Sequence, residues 1–147
     1  MIPSIKAVIA TMLLVSRYVS RAHFNFWGNR RMNVLSEKSQ AQRLLDGLED
    51  GDLSPQAASE IIEKIDPILA FFVIRYLKSI HSANKEAGQP VLQRLVELSS
   101  QCSSLPKIMK DGEKDSMSEW FDEAYDFREF RGNPEKFLDV IVDKLES

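Results

Sequence analysis

Apolar residues recur three and four positions apart along most of this chain, which is the spacing of an amphipathic helix. No segment shows the sustained polar and apolar alternation of a half-buried strand. The pattern therefore predicts an all-α fold, a single compact bundle of about six short helices. The residues expected to form its apolar faces, besides those of the central helix described below, are Ala41, Leu44, Leu45, Leu48, Ile61, Ile62, Ile65, Val91, Leu92, Leu95, Val96, Phe137, Leu138, Ile141, Val142 and Leu145.

Five prolines stand where these helices are expected to begin. Proline is favoured in the first helical turn because the N–H that it lacks would have no partner there. Ser54, Asp66 and Asn133 each precede a proline, and their side chains can accept a hydrogen bond from a free N–H of the first turn. Gln89 and Leu105 precede the other two prolines and are weaker caps.

The segment from Pro67 to His81 has the strongest apolar character. It contains no charged residue before Arg75, so the start of the helix is apolar nearly all round. Such a helix is buried on several sides. The uncharged stretch is much shorter than the roughly 20 residues that cross a bilayer. We therefore expect this helix at the centre of the bundle.

Charge is distributed unevenly along the 147 residues. The net charge is −3, which argues against nucleic-acid binding. Residues 1–31 contain five basic residues and no acid, so they form a basic apolar N-terminal extension. The helical domain is expected to span residues 32–147, and either Met1 or Met32 can be the native start. Membrane contact is expected, if at all, only through residues 1–31.

No pattern indicates catalysis, a cofactor or a metal. Cys102 is the only cysteine, and no base stands beside it in sequence. We expect it to be buried at a helix end, and we expect His81 at the end of the central helix, where the helix dipole favours a cation. Glycine-rich phosphate loops and metal-binding motifs are absent from the sequence. A role other than catalysis is favoured, and the single cysteine favours a reducing, cytoplasmic location.

The segment from Ser116 to Pro134 combines aromatic, acidic and basic residues. Ser116 and Glu119 match a capping box, so a helix is expected to open there or at Ser118. Early acids suit the positive N-terminal end of this helix and late arginines suit its C-terminal end. Its aromatic residues do not share one face, and Trp, Tyr and Arg are enriched at binding hot spots. The residues predicted to bind a partner are Trp120, Phe121, Tyr125, Arg128, Phe130 and Arg131.

Three classes of function stay open at this point. The leading hypothesis is a small helical interaction module that binds a protein partner or itself through the aromatic and acidic segment. The competing interpretation of that segment is that its aromatic residues are core. The second class is a peripheral membrane protein anchored by residues 1–31. The third is a helical small-molecule-binding protein or enzyme whose site brings together residues distant in sequence.

Overall fold

The computed structural model describes residues 37–84 and 86–147, and all regular structure within these ranges is helical. Residues 37–50 belong to α1. The elements that follow are α2 (Pro55–Ile62), α3 (Pro67–Ser82), α4 (Gln89–Gln101), α5 (Leu105–Glu113), α6 (Ser116–Ala124), a 3₁₀ helix (Phe127–Phe130) and α7 (Pro134–Glu146). The all-α prediction is confirmed. The extension over residues 1–31 and the boundary at residue 32 lie outside the described residues.

Side-chain caps start three of the helices as predicted. Ser54, Asp66 and Asn133 each accept a backbone N–H of the first turn, at 3.1, 2.9 and 3.3 Å. A proline follows each of these caps and begins the helix. α4 and α5 start after Gly88 and Ser104 with no side-chain cap, in agreement with the weaker signal at those two prolines.

α6 begins at Ser116, one of the two predicted starts, but the predicted cap is wrong. The N-cap is Asp115, whose carboxylate accepts the Met117 N–H at 2.9 Å, and Ser116 is already inside the helix. Asp115 has extended backbone and supplies a charged acceptor, which forms a stronger hydrogen bond than a hydroxyl does. A capping box does occur further along, at Asp126 and Glu129, where it starts the 3₁₀ helix.

The helix α3 lies at the centre of the bundle, as its composition predicted. It contacts α4, α5, α7 and the 3₁₀ helix. The Phe72 ring also lies 5.5 Å from the ring of Phe121 in α6. Nine of the 16 residues of α3 are buried, more than a helix packed on one face alone would bury. Each large apolar side chain buried in this way contributes roughly 1.5–3 kcal/mol to stability.

The helix α5 approaches α3 closely at Gly112. A Cβ atom at this position would overlap the ring of Phe71, which is fully buried. Close packing of the interior leaves no room for the ring to move away. Glycine is therefore required at position 112 by the space between the two helices.

The apolar face predicted for α4 is wrong at one position. Val91 and Leu95 are buried and Leu92 is half-buried, whereas Val96 is 63% exposed. One residue turns an α-helix by about 100°, so the residue after Leu95 points away from the face that Leu95 buries. The buried face of α4 is too narrow to include Val96 together with Val91 and Leu95.

Candidate functional site

The aromatic and acidic segment is divided between two helices. α6 ends at Ala124 because Tyr125 has extended backbone, with φ −140° and ψ 167°. The Asp126 carboxylate then accepts the N–H of Arg128 at 2.9 Å and starts the separate 3₁₀ helix. The expectation of one helix that ends at the arginines is therefore wrong. Arg128 lies in the 3₁₀ helix and Arg131 follows it.

Two of the six predicted partner-binding residues lie in the core. Phe121 is fully buried, and its ring centroid lies 4.6 Å from that of Phe127 and 5.8 Å from that of Phe137. Phe130 is 3% exposed and lies 5.6 Å from Phe137. Neither ring has area to offer to another molecule. They support the surface residues from beneath.

Trp120 and Tyr125 keep part of their rings exposed. Their ring centroids are 5.7 Å apart with an interplanar angle of 70°, an edge-to-face pair. Tyr125 also stacks on Phe121 at 5.4 Å. The Nζ of Lys144, in α7, lies 5.1 Å from the Trp120 ring centroid, within the range of a cation–π interaction. Both half-exposed rings are thus held in place by the core and by a neighbouring helix.

Arg128 and Arg131 both have partners within the chain. Arg128 donates from Nε and Nη2 to the two carboxylate oxygens of Asp126, at 3.2 and 2.9 Å. These hydrogen bonds lower the pKa of the Asp126 carboxyl to about 2 and raise the pKa of Arg128. Arg131 donates to the carbonyl of Ile80 at 3.3 Å, in the last turn of α3, where a cation is favoured.

The acids of α6 differ in whether a cation neutralises them. Asp122 lies 3.6 Å from Nη1 of Arg75. Glu119 and Glu123 are exposed, and the carboxylate of neither has an ion pair or hydrogen bond among the described residues. They are one helical turn apart, so their charges repel one another. Two negative charges without an ion-pair partner among the described residues therefore stand on α6 beside the partly exposed Trp120.

We define the Trp120 surface as Trp120, Tyr125 and Lys144 with Glu119 and Glu123 beside them. The sequence indicated the two rings through their composition. It did not indicate Lys144, which lies in another helix and meets Trp120 only through the packing of α6 against α7. A helical pattern does not show which of its polar residues faces a neighbouring element.

A second group of polar residues lies where α1, α3 and α4 meet. His81 Nε2 lies 2.9 Å from Glu49 Oε2. Arg94 Nη1 donates to the carbonyls of Leu48 and Glu49 at 2.8 and 3.0 Å, and Gly51, with φ +85°, leaves room for its guanidinium. His81 lies in the last turn of α3 as predicted. The Arg94 bonds satisfy carbonyls at the end of α1, and the contact of His81 with Glu49 joins the side chains of α3 and α1.

One cleft lies between the start of α3 and α5, with a volume of about 290 Å³. Its acidic lining is already engaged. Asp66 and Asp115 cap helices, and Asp111 accepts a hydrogen bond from Lys107 at 2.7 Å, which lowers the pKa of the Asp111 carboxyl. In the described ranges, no group of three or more His, Cys, Asp or Glu is arranged to hold a metal ion.

Cys102 ends α4 and is buried, as predicted. Its Sγ lies 3.4 Å from the hydroxyl oxygen of Ser104, the N-cap of α5. No described contact joins the thiol to a histidine or a basic side chain. A cysteine in such surroundings packs as a small apolar residue.

Among the helices of residues 37–84 and 86–147, none has both the length and the apolar character that a membrane span requires. Comparisons of the chain with protein-family models, with curated proteins and with solved structures found no match.

Proposed function

We propose that the chain is a small helical interaction module that binds a protein partner, or a second copy of itself, through the Trp120 surface. One observation carries this proposal. Trp120 and Tyr125 stay partly exposed although both rest directly on the buried ring of Phe121. Trp, Tyr and Arg are enriched at binding hot spots, and Trp and Tyr supply rigid contact area at a low cost in conformational entropy.

The surface is already ordered before a partner arrives. The edge-to-face contact of Trp120 with Tyr125 and the ammonium of Lys144 hold the Trp120 ring from two directions. Immobilising a free side chain on binding costs about 0.5–1.5 kcal/mol. Folding already immobilises the Trp120 ring, so binding a partner loses little further side-chain entropy and the affinity is higher.

The six residues predicted from the sequence take different parts in this proposal. Trp120 and Tyr125 make the direct contacts. Arg128, exposed and paired with Asp126, supplies the polar rim that surrounds such contacts. Phe121 and Phe130 act from within the core, and Arg131 holds the end of α3, so a loss of binding in variants of these three would follow from altered structure.

The test is affinity capture from the native cells with three tagged forms of the full chain. These are the wild type, Trp120→Ala/Tyr125→Ala, and Val96→Ala. Val96 is the matched control because it is an exposed apolar residue on α4, away from the aromatic contacts. Sedimentation analysis of the same proteins measures self-association. We expect a partner, or a dimer, that wild type and control retain and that the double variant loses.

Circular dichroism of the double variant decides how a loss is interpreted. A native helical spectrum together with lost binding supports the interaction module. Equal binding by all three proteins would place the contact elsewhere. An unfolded double variant would show that both rings are chiefly core, and the proposal would fail.

Two alternatives predict different results. A peripheral membrane protein would bind anionic vesicles in a salt-sensitive manner that requires residues 1–31. A small-molecule-binding protein or enzyme would need unpaired polar groups in a cleft. The acids of the cleft at α3 and α5 already have partners. This alternative therefore places its site at a second cleft of about 300 Å³, where Asp50 and Asp52 have no side-chain partner among the described residues. Our proposal includes a cytoplasmic location, which the single cysteine supports.

A further inference from the structure

We infer that the partner of the Trp120 surface is a protein segment that presents a lysine or arginine next to an apolar side chain. This partner chemistry rests on the proposed function and adds to it the charge that the partner must carry. Its basis is the pair of carboxylates of Glu119 and Glu123, which have no ion-pair partner among the described residues and lie beside the partly exposed Trp120.

The acids of this region differ in their partners, and Glu129 accepts the N–H of Asp126 in the capping box. Asp122 and Asp126 each have an arginine partner, at 3.6 and 2.9 Å. Glu119 and Glu123 have none among the described residues, although both are exposed on the same helix as Asp122. The side of α6 turned toward Arg75 is therefore neutralised, and the side that carries the two glutamates is not.

Glu119 and Glu123 are neighbours of the partly exposed Trp120 through the geometry of α6. Glu123 is three residues after Trp120 and four after Glu119, and residues at these spacings are neighbours on a helix surface. A cation placed between the two glutamates would remove their mutual repulsion. The same position borders the Trp120 ring, so the apolar neighbour of that cation could pack against the ring.

Lys144 shows the kind of group that the Trp120 ring accepts. Its ammonium lies 5.1 Å from the ring centroid without an ion pair to either glutamate. An ammonium or guanidinium is attracted to the face of an indole ring by the ring quadrupole. A partner cation that approaches between the glutamates thus meets two carboxylates, and these outnumber the single positive charge of Lys144 at the Trp120 ring. An acidic partner would meet repulsion from the same two carboxylates.

The experiment selects binders of the full chain from a displayed library of random linear peptides. Affinities of the selected peptides are then measured for the wild type, Glu119→Lys/Glu123→Lys, Trp120→Ala and Glu60→Lys/Glu63→Lys. The last variant is the matched control, because Glu60 and Glu63 are exposed, unpaired among the described residues and change the net charge equally.

We expect the selected peptides to carry a basic residue beside an apolar one. Their affinity should fall about tenfold or more in the Glu119→Lys/Glu123→Lys variant, since like charges would then face one another. The Glu60→Lys/Glu63→Lys control should bind within about twofold of the wild type, because added salt and distance screen remote charges.

The remaining outcomes separate the partner chemistry from the proposed function. Peptides that lose affinity on Trp120→Ala but not on Glu119→Lys/Glu123→Lys would overturn the basic partner and leave the interaction surface standing. Enrichment of acidic or uncharged peptides at Trp120 would do the same. A selection that yields no peptide dependent on Trp120 would overturn both.

Discussion

Two regions of the core are built from different residues. Around Phe121, aromatic rings from α3, α6, the 3₁₀ helix and α7 are in mutual contact, with centroid distances of 4.6–6.4 Å. α2 and α4 instead bury only aliphatic side chains, such as Ile61 and Leu95. Only the aromatic region continues to the surface through ring contacts, at Trp120 and Tyr125.

The two regions make different contributions within one small domain: one removes apolar area from water, and the other also orients side chains. Aliphatic side chains contribute mainly through the area that they remove from water, which has no preferred direction. Aromatic pairs add a preference for edge-to-face or offset arrangements. The aromatic region is therefore expected to fix the orientation of the surface rings, whereas the aliphatic region contributes stability alone.

The largest effect is expected for Phe121→Ala, which removes the ring at the centre of the aromatic region. The loss of a buried Phe lowers the free energy of unfolding by about 3–5 kcal/mol, and Leu95→Ala in the aliphatic region by about 2–5 kcal/mol. Urea denaturation measures both. Tryptophan fluorescence in a Trp27→Phe background reports on Trp120 alone, since the chain has two tryptophans.

That fluorescence distinguishes the two regions. Phe121→Ala should shift the Trp120 emission because its support is removed, and Leu95→Ala should leave the emission unchanged. Equal shifts in both variants would show that the two regions are not separate in this respect.

A smaller effect is expected for Tyr76→Phe, at the edge of the aromatic region. The Tyr76 hydroxyl donates to the buried carbonyl of Phe130 at 2.8 Å, and its ring stacks on Phe137 at 4.7 Å. The substitution keeps the ring and removes one of the two donors to that carbonyl, since the Asn133 N–H also donates to it at 2.8 Å. A cost of about 1–1.5 kcal/mol in the free energy of unfolding is expected at neutral pH, the upper part of the range for one hydrogen bond, because the lost bond is buried.

Tyr76 also makes the free energy of unfolding fall at alkaline pH. Burial, with a smaller contribution from the charge of Glu49, raises the pKa of Tyr76 from 10.0 to about 12. The folded state thus holds its proton where the unfolded state releases it. The contribution is complete below pH 10 and is lost as the pH rises toward 12. Tyr76→Phe should lose less stability over this range, and equal losses in both proteins would contradict the assignment.

The smallest effect is expected for Arg94→Ala, beside the aliphatic region. Arg94 donates to the carbonyls of Leu48 and Glu49 at the end of α1, and these bonds are only partly buried. Water can replace a donor there, so the expected cost is about 0.5–1.5 kcal/mol. Thermal denaturation of Arg94→Ala measures it. A loss of unfolding free energy larger than that of Tyr76→Phe would contradict the expectation that hydrogen bonds in the aromatic region contribute more than those beside the aliphatic region.

The sequence predicted those features of the fold that depend on residues close together along the chain. The apolar character of α3 predicted its central position, and Ser54 and Asp66 were found as caps because a side chain and a nearby N–H decide a cap. Prediction from the sequence failed where two neighbouring residues could each have started or continued a helix. Asp115 and Ser116 could both cap α6, and Asp126 started a new helix where the continuation of α6 was expected.

The candidate surface was predictable only in part. Composition pointed to Trp120 and Tyr125, which are half-exposed. It could not separate them from Phe121 and Phe130, because burial of these two rings depends on α3 and α7. Lys144 was missed for the same reason, since its contact with Trp120 exists only after α6 and α7 have packed together.

The contact of Gly112 with the ring of Phe71 links two positions that are distant in sequence. A larger residue at position 112 needs a smaller one at position 71, and either change alone leaves an overlap or a cavity. Over evolutionary time the two positions can therefore diverge only as a pair. We therefore expect a glycine late in the fifth helix to occur together with an aromatic residue early in the third helix in any chain that shares this packing.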